Sequence, residues 1–272
     1  MKKRLHSVAI IQARMGSSRL PGKVLLDIAG KPMLRRVIER VQCAKMLDEL
    51  VVATTLDPSD DPLAAFCTER GYACHRGSQF DVLDRYYQAA VNLQAEIVVR
   101  ITADCPVIDP DLINNALEVY MESGVDFIAN RLPPPFGRTY PIGLDIEICS
   151  FNALSRAWKE ATQAYQREHV MPYLYEDVHL QVISPTQSCG TSGRGFKVLL
   201  LNHVPDRGSS RWTVDTPADL EFIREVYAHF GGREDFSWLE ILDLVQKNPE
   251  LARINESVEH KNLHDIDERG NK

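Results

Sequence analysis

Five stretches of the chain carry short, dense apolar runs: Val8 to Ile11, Glu49 to Thr55, Glu96 to Thr102, Val125 to Ala129 and Phe196 to Leu201. Runs of this length, apolar on successive residues, predict strands buried on both faces, as at the centre of a parallel sheet. Helical spacing fills the gaps. Met33, Leu34, Val37, Ile38 and Val41 share one face behind Pro32, Ser59-Asp-Asp-Pro62 opens a helix that Gly71 closes, and Asp81 to Leu93 buries Val82, Leu83, Tyr86, Ala89, Ala90 and Leu93. Pro110 opens a helix closed by Gly124, Thr216-Pro217 starts one that runs to Phe230, and Trp238, Ile241, Leu242 and Val245 repeat the spacing once more. Strand and helix alternate, which predicts an α/β fold on a mostly parallel sheet.

From Asn130 the rhythm changes. Pro133 to Pro135 stiffen a loop, Leu144 to Ile148 alternates with period two, which predicts a half-exposed antiparallel strand, and helical patterns follow at Phe151 to Ala161 and Tyr165 to Tyr175. Residues 130–187 thus read as a segment inserted between two parts of an α/β domain, 1–129 and 188–255, with a polar tail over 256–272. Leu154, Trp158, Val170, Tyr173 and Leu174 in that segment need a surface to cover them. Ser188 to Gly195, with three glycines, predicts a flexible loop, and Arg211 to Asp215 a short strand.

The richest chemistry follows the first strand. Ligands of parallel sheets bind outside the strands' carboxyl ends, and there Arg14, Arg19 and Lys23 place three cations within ten residues, with Gly16, Ser17, Ser18 and Gly22 letting backbone N–H groups approach an anion. This is the chemistry of a polyphosphate cradle. A Walker-type loop is excluded, because Gly16 and Gly22 are five residues apart and Val24, not a hydroxyl, follows Lys23. No Gly-x-Gly-x-x-Gly follows the strand either. Asp104, just past the strand ending at Thr102, points at the same crevice and is a candidate metal ligand. Asp215 either caps the helix after it or is a second ligand. Asp81, Asp109 and Asp111 flank helix starts and are assigned as caps.

Residues 10–25, Ile-Ile-Gln-Ala-Arg-Met-Gly-Ser-Ser-Arg-Leu-Pro-Gly-Lys-Val-Leu, resemble the signature loop of the cytidylyltransferases that make CMP-activated acidic sugars, and within them the spore-coat polysaccharide branch. The resemblance continues through Arg100 to Pro110, Gly143 to Glu147, Arg167 to Pro172 and Arg211 to Pro217. It implies a Rossmann-like, glycosyltransferase-A-like nucleotidyltransferase fold, a three-layer sandwich with an inserted dimerisation arm. It implies CTP held by Ala13, Arg14, Gly16, Ser17, Arg19 and Lys23, with Thr55, Arg76 and Ser78 beside the nucleoside. Mg²⁺ on Asp104 and Asp215 follows from it, and Arg14, Lys23, Asp104 and Asp215 would carry the chemistry. An arm closing over a partner's pocket in a homodimer would bring Arg138, Asp145, Glu147 or His169 to an acidic, nonulosonate-like sugar. His169 is assigned to acceptor binding or packing rather than proton transfer.

The 272 residues suffice for one large α/β domain with an insertion, and the formal net charge of −7 argues against a general nucleic-acid or membrane-surface binder. Six cysteines without a Cys-x-x-Cys pair suggest reduced thiols. The apolar run near the N-terminus is too short for a signal peptide, so a cytoplasmic protein is expected. Two other functions compete. A nucleotide-sugar-dependent glycosyltransferase would want an Asp-x-Asp pair at a strand end, and the nearest, Asp109-Pro-Asp111, sits at a helix start. A regulatory nucleotide-binding protein without turnover would need neither Asp104 nor Asp215.

Overall fold

In the computed structural model, which describes residues 4–259, strand and helix alternate as the pattern predicts. β1 (Ser7–Gln12) leads through a small ribbon of β2 (Asp27–Ile28) and β3 (Lys31–Pro32) into α1 (Met33–Gln42). Then follow β4 (Glu49–Thr55), α2 (Asp61–Arg70), β5 (Cys74–Gly77), α3 (Val82–Asn92), β6 (Ile97–Thr102), α4 (Pro110–Ser123) and β7 (Phe127–Ala129). The remainder comprises β8 (Glu147–Ser150), α5 (Phe151–Glu160), α6 (Ala164–His169), α7 (Pro172–Tyr175), β9 (Gln181–Ser184), β10 (Gln187–Thr191), β11 (Lys197–Leu201), α8 (Pro217–His229), α9 (Trp238–Lys247) and α10 (Pro249–Arg253). Nine strands form one sheet in the order β5-β4-β1-β6-β8-β7-β11-β10-β9, with β8 and β10 running against the rest.

Side chains of β1 explain the layers. Ala9 and Ile11 point into a core shared with Met33 and Leu34 of α1, Ile113 of α4, Phe222 of α8 and Ile241 of α9. Val8 and Ile10 point the other way, into a core shared with Leu83 and Tyr86 of α3 and Leu154 of α5. Each large aliphatic side chain buried this way contributes roughly 1.5–3 kcal/mol, enough to keep a strand as short as β7 in place. Helix ends follow the sequence signals: Gly71 and Gly124 adopt positive φ after α2 and α4, and Asp109 accepts from Asp111 N at 2.8 Å. Asp81 caps α3 by accepting from Asp84 N at 2.9 Å.

Five local expectations need correction. The alternating stretch around Leu144 to Ile148 does form an antiparallel strand, but β8 lies between β6 and β7 and is buried on both faces. Its polar face holds Glu147, which is paired with Arg100 rather than with water. The pattern over Tyr165 to Tyr175 is two short helices, α6 and α7, broken at Val170 with φ +71°. Ser188 to Gly195 is not a loop throughout, because Gln187–Thr191 forms strand β10. Arg211 to Asp215 forms no strand and is joined to Ile142 by one bridge at Arg211. Arg76, expected beside the nucleoside, lies in the edge strand β5 and outside the cleft.

Leu154, Val170, Tyr173 and Leu174, expected to need a partner surface, are buried within this chain against the same core as Val8 and Ile10. Residues 256–259 of the expected polar tail are described, and the rest of it lies outside the described residues.

One glycine ties the loops above the sheet together. Gly143 has φ +107°, and a Cβ there would lie 2.6 Å from Thr213 N and from Trp212 C. Gly143→Ala is expected to cost about 2–4 kcal/mol of stability through strain and overlap. Gly30→Ala, at φ +85° with nothing within 4 Å, should cost only about 1–2 kcal/mol. Urea unfolding of the two variants checks the order, and equal midpoints would contradict the contact.

Candidate active site

The loop after β1 is built by its own backbone. Met15 O accepts from Ser17 N at 2.9 Å and from Gly22 N at 2.9 Å, which folds the loop back on itself, and Gly22 exits at φ +70°. Asp60, buried behind the loop, accepts from Met15 N at 2.6 Å with one oxygen and from the Thr55 hydroxyl with the other. Thr55 is thus 1 % exposed and supports the loop from beneath.

The loop delivers Lys23 to Asp104, just past β6, and to Asp215, just before α8. Its Nζ donates to Asp104 Oδ2 at 3.1 Å, Asp215 Oδ1 at 2.9 Å and Val214 O at 2.7 Å. Asp104 follows β6, and Thr102 Oγ1 donates to its Oδ1 at 2.6 Å. Its backbone O accepts from Val214 N at 2.8 Å and Thr213 Oγ1 at 3.0 Å, so the two carboxylate-bearing segments are stitched together. The cap of α8 is Thr216, not Asp215. Asp215 instead turns its Oδ2 to Arg19 at 2.9 Å and to Arg211 at 2.9 Å.

Electrostatics fix these charges. Burial alone would lower the Lys23 pKa and raise that of Asp215; the two carboxylates reverse the first, so Lys23 is raised. Lys23, then Arg19 and Arg211, reverse the second and bring Asp215 down to about 2. From about pH 4 to pH 10 both groups keep their charge.

An open cleft of about 320 Å³ lies over these residues. Ala13, Arg14, Ser17, Ser18, Arg19 and Lys23 form one wall, with Asp104 and Asp215 at its base; Arg131, Asp145, Glu147, Glu168, His169 and Tyr175 line it further on. Of the residues expected from sequence, Gly16, Thr55, Arg76, Ser78 and Arg138 do not line it. Arg76 donates to Thr55 O at 2.8 Å and to Asp61 Oδ1 at 2.7 Å, while Ser78 Oγ accepts from Asp81 N at 3.1 Å. Arg138 grips Asp145 with both terminal nitrogens, at 2.5 and 3.1 Å, and so reaches the cleft through that carboxylate.

Sequence inspection did not single out Gln12, Arg100, Arg131, Glu168 or Tyr175. A signal existed for two of them. Arg100 is a charge inside an otherwise apolar strand, where it needs a partner and has Glu147, with Gln12 Oε1 at 3.3 Å from its second nitrogen. Arg131 stands just beyond β7, at a strand end of the kind where ligands bind.

Asp104 and Asp215 offer two carboxylates to a divalent cation, an incomplete shell by themselves. Asp104 Oδ2 and Asp215 Oδ1 both face the Lys23 ammonium, so a cation shared by them would have to displace that contact, and no cluster of three metal-binding side chains exists among the described residues. Mg²⁺ commonly takes one or two carboxylates and completes its shell with phosphate oxygens and water.

Residues 8–229 match the sequence profile of the cytidylyltransferase family. Over 252 residues, 89 % of this chain and 95 % of the relative, the sequence is 32 % identical to the spore coat polysaccharide biosynthesis protein SpsF of Bacillus subtilis. It is 33 % identical to a 3-deoxy-manno-octulosonate cytidylyltransferase of Anaeromyxobacter dehalogenans over 82 % of this chain and 98 % of that one. A cytidylyltransferase structure from Leptospira borgpetersenii superposes with a TM-score of 0.80 at 30 % identity, covering 94 % of this chain and all of the other. Matched by the family profile over most of its length and folded like the Leptospira cytidylyltransferase, with a cationic loop facing two carboxylates in its cleft, the chain belongs to the cytidylyltransferase family.

Proposed function

We propose that the protein transfers CMP from CTP to an acidic sugar and releases pyrophosphate, supplying an activated sugar for a surface polysaccharide. The observation that carries this is the Lys23 ammonium lying between Asp104 and Asp215 at the base of the cleft, beside Arg14 and Arg19. An acceptor hydroxyl oxygen would bond to the α-phosphorus while the α–β bridging bond breaks, its electron pair leaving with pyrophosphate and its proton passing to solvent or a cleft carboxylate. Such a displacement needs neutralised charge and held geometry more than a protein nucleophile. Arg14, Arg19 and Lys23 supply the charge and Ala13, Ser17 and Ser18 the adjoining wall. Mg²⁺ held by Asp104 and Asp215 would neutralise phosphate charge when bound.

The farther part of the cleft suits a polyhydroxylated acid. Asp145, Glu147 and Glu168 can accept from hydroxyls, Arg131 can meet a carboxylate, Arg138 holds Asp145 in place, and His169 lines the same wall. Support for the acid comes from the octulosonate relative. A homodimer belongs to the same reading. Its best support is β9, at one edge of the sheet, where Val182 is 79 % and Ile183 55 % exposed in a stretch without charges, a strand edge that a second copy can extend. No described helix is long and apolar enough to cross a membrane, and the six cysteines are free, in keeping with a place in the cytoplasm.

Incubation with CTP, Mg²⁺ and a panel of sugar acids should release pyrophosphate only when an acceptor is present; a glycosyltransferase releases none, and UTP run in parallel tests the base. Lys23→Ala should lose roughly 2–4 kcal/mol of transition-state stabilisation, read as kcat/KM, and near-normal efficiency would sink the assignment. Asp104→Asn and Asp215→Asn should each raise the Mg²⁺ concentration needed for half-maximal rate, a result contradicted by an unchanged metal dependence in either.

A further inference from the structure

Asp215 is held by a chain of buried groups that ends in the segment after α10. Its Oδ2 accepts from Arg211 Nη2 at 2.9 Å, and Arg211 is clamped in turn by Asp219, which accepts from Arg211 Nε at 2.8 Å and Nη2 at 3.1 Å. Asp219 is fully buried. As the third residue of α8 it completes a capping box with Thr216, but a capping box needs only one bond from this side chain to the cap backbone. Here one oxygen takes Thr216 N at 2.9 Å and also Asp215 N at 3.0 Å, the backbone of the candidate ligand itself. The other oxygen takes the Asn255 side-chain amide at 3.0 Å, and the same amide donates to Arg211 O at 3.0 Å. Asn255 is 3 % exposed and belongs to the segment after α10, whose Glu259 carbonyl accepts from Arg19 at 3.2 Å.

We propose that Asp219 and Asn255 are positioning residues for the nucleotide site: they fix Arg211, and through it the Oδ1 of Asp215, so that the carboxylate stays aimed at the metal-bearing triphosphate. The inference rests on the assignment of CTP and Mg²⁺ to this cleft. Arg211 alone has several rotamers from which to reach Asp215, and each donor locked by Asp219 removes some of that freedom before the nucleotide arrives. The segment after α10 thereby takes part in a site whose other members lie between 36 and more than 200 residues earlier.

Asp219→Asn would leave Arg211 without its buried counter-charge and endanger the fold, so the test uses Asn255→Ala, alone and with Asp215→Asn. CTP binding is measured by calorimetry on the full chain, once with Mg²⁺ and once in EDTA. In EDTA the Asn255→Ala variant should bind CTP within twofold of the wild type, and with Mg²⁺ about tenfold more weakly. In the Asp215→Asn background the same substitution should change Mg²⁺-dependent binding less than twofold, since the group it positions is gone. A loss of equal size in EDTA, or one undiminished in the Asp215→Asn background, means that Asn255 serves stability alone and overturns the proposal, as does a variant that keeps the full gain from Mg²⁺. If the wild type binds CTP no better with Mg²⁺ than in EDTA, the metal assignment fails and takes this inference with it.

Discussion

The site depends on one ammonium group. Lys23 joins the loop after β1 to Asp104, 81 residues later, and to Asp215, 192 residues later. Each of these three residues lies outside the strands, Lys23 in the loop after β1, Asp104 just past β6 and Asp215 just before α8, so none is held by a ladder of its own. Without the cation two carboxylates would face each other across a partly buried gap, and without the carboxylates a buried lysine would lose its proton or its place. The loop, β6 and the start of α8 therefore settle together.

The same economy governs charges elsewhere in the interior. Covering both faces of the sheet leaves little water for the polar groups that the strands carry, and the charged ones find partners within the protein. Arg100 on β6 meets Glu147 on the neighbouring β8. Arg40 on α1 donates to the carbonyls of Ile108 at 2.6 Å and Phe236 at 2.9 Å, closing loops that have no strand partner. A buried ion pair adds little net stability, but losing one partner is expensive, so these pairs act mainly to select one arrangement of loops over others.

Most of the layer structure is legible in the sequence because burial on two faces leaves an unmistakable run of apolar residues, and glycines with positive φ end α2 and α4 where the chain says they should. The site was legible in part: Lys23 and Asp104 follow from asking what lies just beyond a buried strand, whereas Asp215 is reached from a strand that does not form. What escaped has a physical reason in each case. Alternation at Leu144 to Ile148 reports two unlike faces, not water on one of them, and Glu147 satisfies it through Arg100. The glycines of Ser188 to Gly195 suggested a loop, yet a Cβ at Gly190 would lie 2.2 Å from His179 O, so glycine is there to let the chain pass close beside strand β10. Arg131 and Asn255 reach their places by tertiary contact, for which no local pattern exists.

An ammonium has three hydrogens, and those of Lys23 are all engaged, with Asp104, Asp215 and the Val214 carbonyl. In this state the lysine offers nothing to a passing anion. A phosphate oxygen can reach it only by taking over one of those bonds, and a small anion such as inorganic phosphate brings too few contacts to make that exchange worthwhile. A longer anion that met Arg14 and Arg19 at the same time would bring further contacts to compensate for the bond surrendered. Closure of the lysine on its own protein thus sets a condition on any anion that would use it: one of three protein bonds has to be exchanged first.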